Sequence, residues 1–253
     1  MSYIGQKDIA LEIARGGLTG YSHVAKFGRN DSVPNGSWEF LNQLGFTAWP
    51  LSAATTVRIK AGGNAADDSA GAGAREVTVE GINASGAVAT EAITTAGASA
   101  SSVTTETFIR PFGAYVSSCG TYGGANTGNI IIENGAGGTD LLQITADEGQ
   151  TQFGAYTIPT GKTGYLRMVY ISVDGTKPAD IRVMTRGDIF DTTAPASAKR
   201  IKLFFDGVSG FMPFLPDSPF IELSADTDVW VEARGSGAIT EVSTSFHITL
   251  VDN

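Results

Sequence analysis

Thr55-Thr-Val-Arg-Ile-Lys60, closed by Gly62-Gly63-Asn64, is the stretch on which the fold is read. The same unit recurs along the chain. Glu76-Val-Thr-Val-Glu80 ends in Gly81, with Val77 and Val79 on one face, and Asn129-Ile-Ile-Ile-Glu133 ends in Asn134-Gly135. Short, evenly punctuated strands with no helical pattern between them are expected of an all-β sandwich or barrel. Folds of that kind are rigid supports that host many functions, so any activity has to be sought in particular residues.

A chain of 253 residues has room for one large or two ordinary β domains and for a sizeable core. Its single cysteine, Cys119, excludes an intrachain disulfide, so packing has to supply the stability. The opening Met1-Ser-Tyr-Ile-Gly-Gln-Lys-Asp8 has no apolar core of signal-peptide length, and no stretch approaches the roughly 18 apolar residues of a membrane span. The expectation is a protein made and kept in a cytoplasm, or assembled there into something larger, with no membrane partner.

Lys and Arg number 17 against 26 Asp and Glu, a formal net charge of −9. Without a basic field there is no counterion release to drive a grip on phosphates, so no nucleic-acid partner is expected. The nearest approach to a basic cluster, Lys199-Arg200 with Lys202, reads as the polar face of a strand, Ala198 to Phe205.

Three segments follow from the patterning. Residues 1–50 lack sustained alternation. Asp8 can cap a short helix over the following residues, stopped by Gly16-Gly17, and Tyr21 to Phe27 reads as a short strand. Asn30 to Gly36 is turn-rich and leads to the rings Trp38, Phe40, Phe46 and Trp49. This segment reads as an extended arm with aromatic anchors, or else as rings that cap the following domain. Residues 51–148 are Ala-, Gly- and Ser-rich, with hairpins expected across Asn83 to Gly86 and Asn134 to Gly138. Residues 149–253 carry the clearest strands. In the last, Val242, Thr244 and Phe246 alternate with Ser243, Ser245 and His247, which implies one buried and one open face. The fold class is therefore all-β: two β-sandwich or jelly-roll-like domains preceded by an extended N-terminal arm.

The motifs that suggest chemistry each have a plainer reading. Gly161-Lys162-Thr163 ends like a phosphate-binding loop, but Tyr156 stands where the first glycine belongs and a strand follows instead of a helix, so a hairpin turn is expected. His23 and His247 are the only imidazoles. His247 shares a strand face with Ser243 and Ser245 but has no acid nearby in sequence, which favours a structural histidine over a triad. Cys119 lacks a second thiolate for zinc, and Asp67-Asp68 and Asp147-Glu148 lack the graded spacing of a calcium loop. No catalytic residue, metal or cofactor is expected.

The run Ile13-Ala-Arg-Gly-Gly-Leu-Thr-Gly-Tyr-Ser-His-Val-Ala-Lys-Phe-Gly-Arg-Asn30, followed by Gly36-Ser-Trp-Glu39, resembles the opening of virion structural proteins of tailed bacteriophages, especially marine ones. Gly73 to Asn83, Glu148 to Thr151 with Tyr156 to Leu166, and the closing Phe246-His-Ile-Thr-Leu-Val251 are similar to the same group. The resemblance implies a non-enzymatic capsid decoration or cement protein on the virion surface. Its partners would be the major capsid protein and further copies of itself, as a homotrimer. Tyr3, Ile4, Ile9, Trp38, Phe40, Phe46 and Trp49 of the arm, with Phe211, Met212 and Phe214, are the expected interface residues. A tail or fibre component that binds host glycan or another tail protein is the alternative, and a hydrolase built around His247 is a third.

Overall fold

The computed structural model describes residues 8–45, 49–215 and 220–253. Among them one short helix, α1 (Ile9–Ala14), precedes the strands β1 (Tyr21–Val33), β2 (Glu39–Phe40), β3 (Val57–Ile59), β4 (Ala74–Asn83), β5 (Val88–Thr94), β6 (Phe108–Cys119), β7 (Ile130–Asn134) and β8 (Asp140–Ile144). There follow β9 (Ala155–Thr157), β10 (Lys162–Val173), β11 (Ala179–Arg186), β12 (Arg200–Val208), β13 (Gly210–Phe214), β14 (Ile221–Leu223), β15 (Asp228–Gly235) and β16 (Thr240–Asp252). The class is all-β, as the alternation predicts.

The strands form small antiparallel sheets. One has the order β1-β16-β10-β13, with β14 also on β10; a second has the order β12-β11-β15-β2, with β9 also on β15. Two three-stranded sheets, β3-β7-β8 and β5-β4-β6, come from the middle of the chain. This is a propeller-like set of small sheets, not two clearly separate sandwiches. One apolar cluster runs through it, from Val57, Val77 and Ile132 to Val231, Phe246 and Leu250.

Local chemistry explains several elements. Asp8 caps α1, its Oδ1 accepting from the N–H groups of Ala10 (2.9 Å) and Leu11 (3.2 Å). Asn83 and Gly86 close the β4–β5 hairpin, and Gly137 and Gly138, both at positive φ, turn β7 into β8. Pro159 to Gly161 is a turn, but not a hairpin. It carries the chain from β9 on one large sheet to β10 on the other.

Most of the expected arm is not an arm. Tyr21–Val33 pairs along its length with β16, from Tyr21 opposite Val251 to Val33 opposite Thr240. Phe40 lies opposite Glu232 on β15. The segment reads weakly as a strand because one face is open to solvent and holds polar and aromatic residues alike. Gly28 is required where β1 crosses two other chain segments. A Cβ there would stand 2.3 Å from the Gly154 nitrogen and 2.5 Å from the Leu41 oxygen.

Candidate assembly surfaces

Of the expected interface residues, Tyr3, Ile4 and Phe46 lie outside the described residues. Trp49 is buried: it stacks on Phe40 with centroids 5.6 Å apart and meets Phe153 and Trp230 edge-on, each at 5.9 Å. Trp38 lies over the guanidinium groups of Arg182 (4.1 Å) and Arg234 (4.8 Å), with its edge on Phe204. These rings therefore cover the chain's own β11–β15 surface, and the capping reading replaces the anchor reading for them. The reason is length. β2 adds to β15, and the nine residues beyond Phe40 bring Trp49 back over the same sheet.

A cleft of about 410 Å³ remains beside them, lined by Trp38, Phe40, Trp49, Trp230, Arg186, Lys199 and Glu232 among others. Glu232 accepts from Arg182 Nε at 2.7 Å and Trp230 Nε1 at 2.8 Å, so its carboxylate is already satisfied. Lys199 is exposed at the rim, 3.9 Å from Glu232.

Phe211 alternates outward from β13 and is 67% exposed, while Met212 and Phe214 turn inward and pack on the core; Phe214 meets Phe205 at 5.6 Å. Sequence spacing within this loop could have separated the three, since strand side chains alternate with period two. Ile9 and Leu11 are exposed on α1. At six residues, with two large apolar groups facing out, α1 lacks an inward apolar stripe of its own.

The outer face of the β1-β16-β10-β13 sheet brings together residues from strands whose pairing sequence reasoning missed. Register sets His23 opposite Thr249, Ala25 opposite His247 and Phe27 opposite Ser245. It continues Ser245 opposite Tyr170 and Ser172 opposite Phe211. Tyr21 (45% exposed) and Phe27 (38%) stand on this face, and Phe211 stacks on Tyr170 at 5.8 Å. The period-two pattern of Tyr21-Ser-His-Val-Ala-Lys-Phe27 is the signal that points to it.

Both histidines of the chain lie here, ring centroids 5.0 Å apart, with Tyr170 edge-on to His247 at 6.4 Å. Partial burial holds His23 below the usual imidazole range, and the neighbouring His247 and Arg167 push it further down. Among the described residues no carboxylate hydrogen-bonds His247, although Ser243 and Ser245 share its face as the alternation predicts.

Other sites of possible chemistry are structural. Asp67 accepts from the N–H groups of Ala74 (2.9 Å), Thr127 (2.7 Å) and Gly128 (2.8 Å), tying two loops together. Cys119 directs its thiol at the Ala125 carbonyl, 3.4 Å away. Among the described residues no three His, Cys, Asp or Glu side chains are grouped as metal ligands.

No protein-family model matches the sequence, and no curated protein matches it either. Among solved structures, the chain is similar over 92% of its length to a chain of the structure of infectious bursal disease virus Gt strain. That match has 10% identity and a TM-score of 0.26, and covers 73% of the viral chain. A chain of the T=1 particles derived from infectious bursal virus gives 9% identity and a TM-score of 0.20, with 92% and 74% covered. Both are virus structures. At such TM-scores the likeness carries no argument about role, and function rests on the chain's own surfaces.

Proposed function

We propose that this chain is a non-enzymatic virion structural protein, a decoration or cement protein that attaches to an assembled phage head and meets copies of itself and the major capsid protein there. The observation that carries the reading is the open face of the β1-β16-β10-β13 sheet, where Tyr21, Phe27, Tyr170 and Phe211 present aromatic surface to solvent on a rigid five-stranded platform. Aromatic groups on a preorganised surface are what protein interfaces concentrate, because they bury much area at small conformational cost. Weak single contacts would then be multiplied over many copies. The N-terminal contribution reduces to the residues before Tyr21, with Ile9 and Leu11 outward.

Cryo-electron microscopy of purified particles tests this. Density for the chain on the shell, in numbers approaching those of the shell subunit, is the expected result. Absence from the shell rejects the reading. The cleft beside Trp38, Trp49 and Trp230 favours a second reading, a tail or fibre component whose rings receive a sugar. A few copies at the tail, and glycan binding lost in Trp230→Ala, would support it.

A further inference from the structure

We propose that the open face of the β1-β16-β10-β13 sheet pairs two copies of this chain, and that the adjacent His23 and His247 release the pair on acidification.

The first ground is electrostatic. Each copy carries a formal charge of −9, so two copies repel unless they meet where carboxylates are missing. This face is such a place. At one end Arg29 gathers the carboxylates of Glu241 (2.8 Å), Asp31 (2.9 Å) and Glu148 (3.9 Å), and at the other Lys162 pairs with Asp252. Between those pairs β1, β16, β10 and β13 present tyrosine, phenylalanine, serine, threonine, histidine and Arg167, and no carboxylate. Glu222 on β14, opposite Tyr165, stands at the margin.

The second ground is shape. Sheet faces pack about 10 Å apart when aromatic and small residues interdigitate. Here the rows supply both. Phe27 and Tyr170 flank Ser245, and Ser172 adjoins Phe211. An acidic partner, by contrast, would meet only Arg167 as a fixed cation in the centre of the face, and Arg167 is engaged over the Phe220 ring at 4.0 Å.

The switch follows from the neighbours of the imidazoles. His23 and His247 face each other from β1 and β16. From β10, Tyr165, Arg167 and Tyr170 share their face; Glu222 lies beyond on β14; on α1, which packs against β1, Glu12 and Arg15 are paired at 2.8 Å. Protonation adds imidazolium charge beside Arg167 on each copy. A second copy brings the same charges to the same face, so like charge builds across a desolvated contact and the pair opens. An acidic partner would respond with the opposite sign.

The interface rests on the assembly reading above, but it is tested on purified protein without particles, so that either can fail alone. Sedimentation velocity of the full chain at about pH 8 and about pH 5 reads the dissociation constant. Dimer at the higher pH, with a dissociation constant raised at least about tenfold at the lower, is expected. Phe27→Glu, and separately Phe211→Glu, should be monomeric at the higher pH with an unchanged circular dichroism spectrum. His23→Asn with His247→Asn should dimerise equally at both. The proposal is overturned by a monomer at the higher pH, by tighter association in acid, by a dimer indifferent to both glutamates, or by a pH response that survives the double histidine replacement.

Discussion

Arg110 and Asp228 are 118 residues apart in sequence and meet with both side chains wholly enclosed, the guanidinium Nε 2.9 Å from one carboxylate oxygen and 3.0 Å from the other. Thr157 donates to the same carboxylate at 2.7 Å, and Arg110 Nη1 donates to the carbonyls of Leu51 and Ile109. The pair joins β6 of the middle segment to β15 of the C-terminal one, beside the ring of Trp49.

Arg110→Ala should cost about 3–5 kcal/mol, because it leaves a wholly buried carboxylate with only the Thr157 hydroxyl and the more distant Arg186, 3.9 Å away. Replacing both partners with apolar residues, as in Arg110→Met with Asp228→Leu, should cost less than the single change. Urea denaturation of the three proteins checks this. A single variant within about 1 kcal/mol of the parent would show that the contact does not join the segments energetically.

Lys26 turns its ammonium inward from β1 to donate to the Phe112 carbonyl at 2.8 Å, over the Phe112 ring. Burial lowers its pKa from 10.5 to about 8, against a smaller upward pull from Glu80. The unfolded chain therefore binds more protons than the folded one between those values, and stability should rise with pH across that window. Lys26→Met should accordingly stabilise the protein at neutral pH by about 1–3 kcal/mol, with the advantage fading above about pH 8 and gone beyond about 10.5. Thermal melts across that range read it, and a destabilised variant at neutral pH counts against the buried charge.

Asp180 behaves in the opposite sense. Burial opposes its ionisation, but Arg234 at 2.6 Å, the Gly207 N–H at 3.0 Å, a side-chain hydrogen bond with Asp206 and the Ser236 hydroxyl at 3.0 Å outweigh it and hold the pKa at about 2. Its folded value lies below the ordinary 3.8, so its contribution is complete above that pH and is lost as the pH falls through 2. Asp180→Asn should cost about 1–3 kcal/mol at neutral pH, and the gap from the parent should close in acid. A gap that persists at about pH 2 would assign the loss to geometry instead of charge.

Deleting residues 2–35 should not leave a folded β protein, contrary to what an independent arm would allow. The deletion strips β1 from β16 and opens a long unpaired edge. Deletion of residues 2–18 should be tolerated. Soluble yield and circular dichroism of the two truncations distinguish these outcomes, and a soluble, cooperatively folding 36–253 chain would refute the prediction.

Much of the fold is legible in local pattern. The strand at Glu76 to Glu80, the hairpins across Asn83 to Gly86 and Asn134 to Gly138, the Asp8 cap and the two faces of β16 all depend on neighbours within a few residues. The candidate surface is only half legible. Phe211 is exposed, yet Trp49 and Phe40, which read equally well as anchors, are spent inside the chain. A ring's chemistry is the same in a core and at an interface, so composition does not separate them.

By itself, then, the sequence determines that this is an all-β chain, acidic, with a single thiol and two imidazoles, because alternation, turn residues and charge are properties of the residues and their near neighbours. Tertiary structure alone decides that β1 lies against β16, that Arg110 finds Asp228, and that His23 and His247 share one open face. Each of those is a choice of partner across roughly 120 to 230 residues, made by the energy of burying one surface against another. No local pattern carries that information.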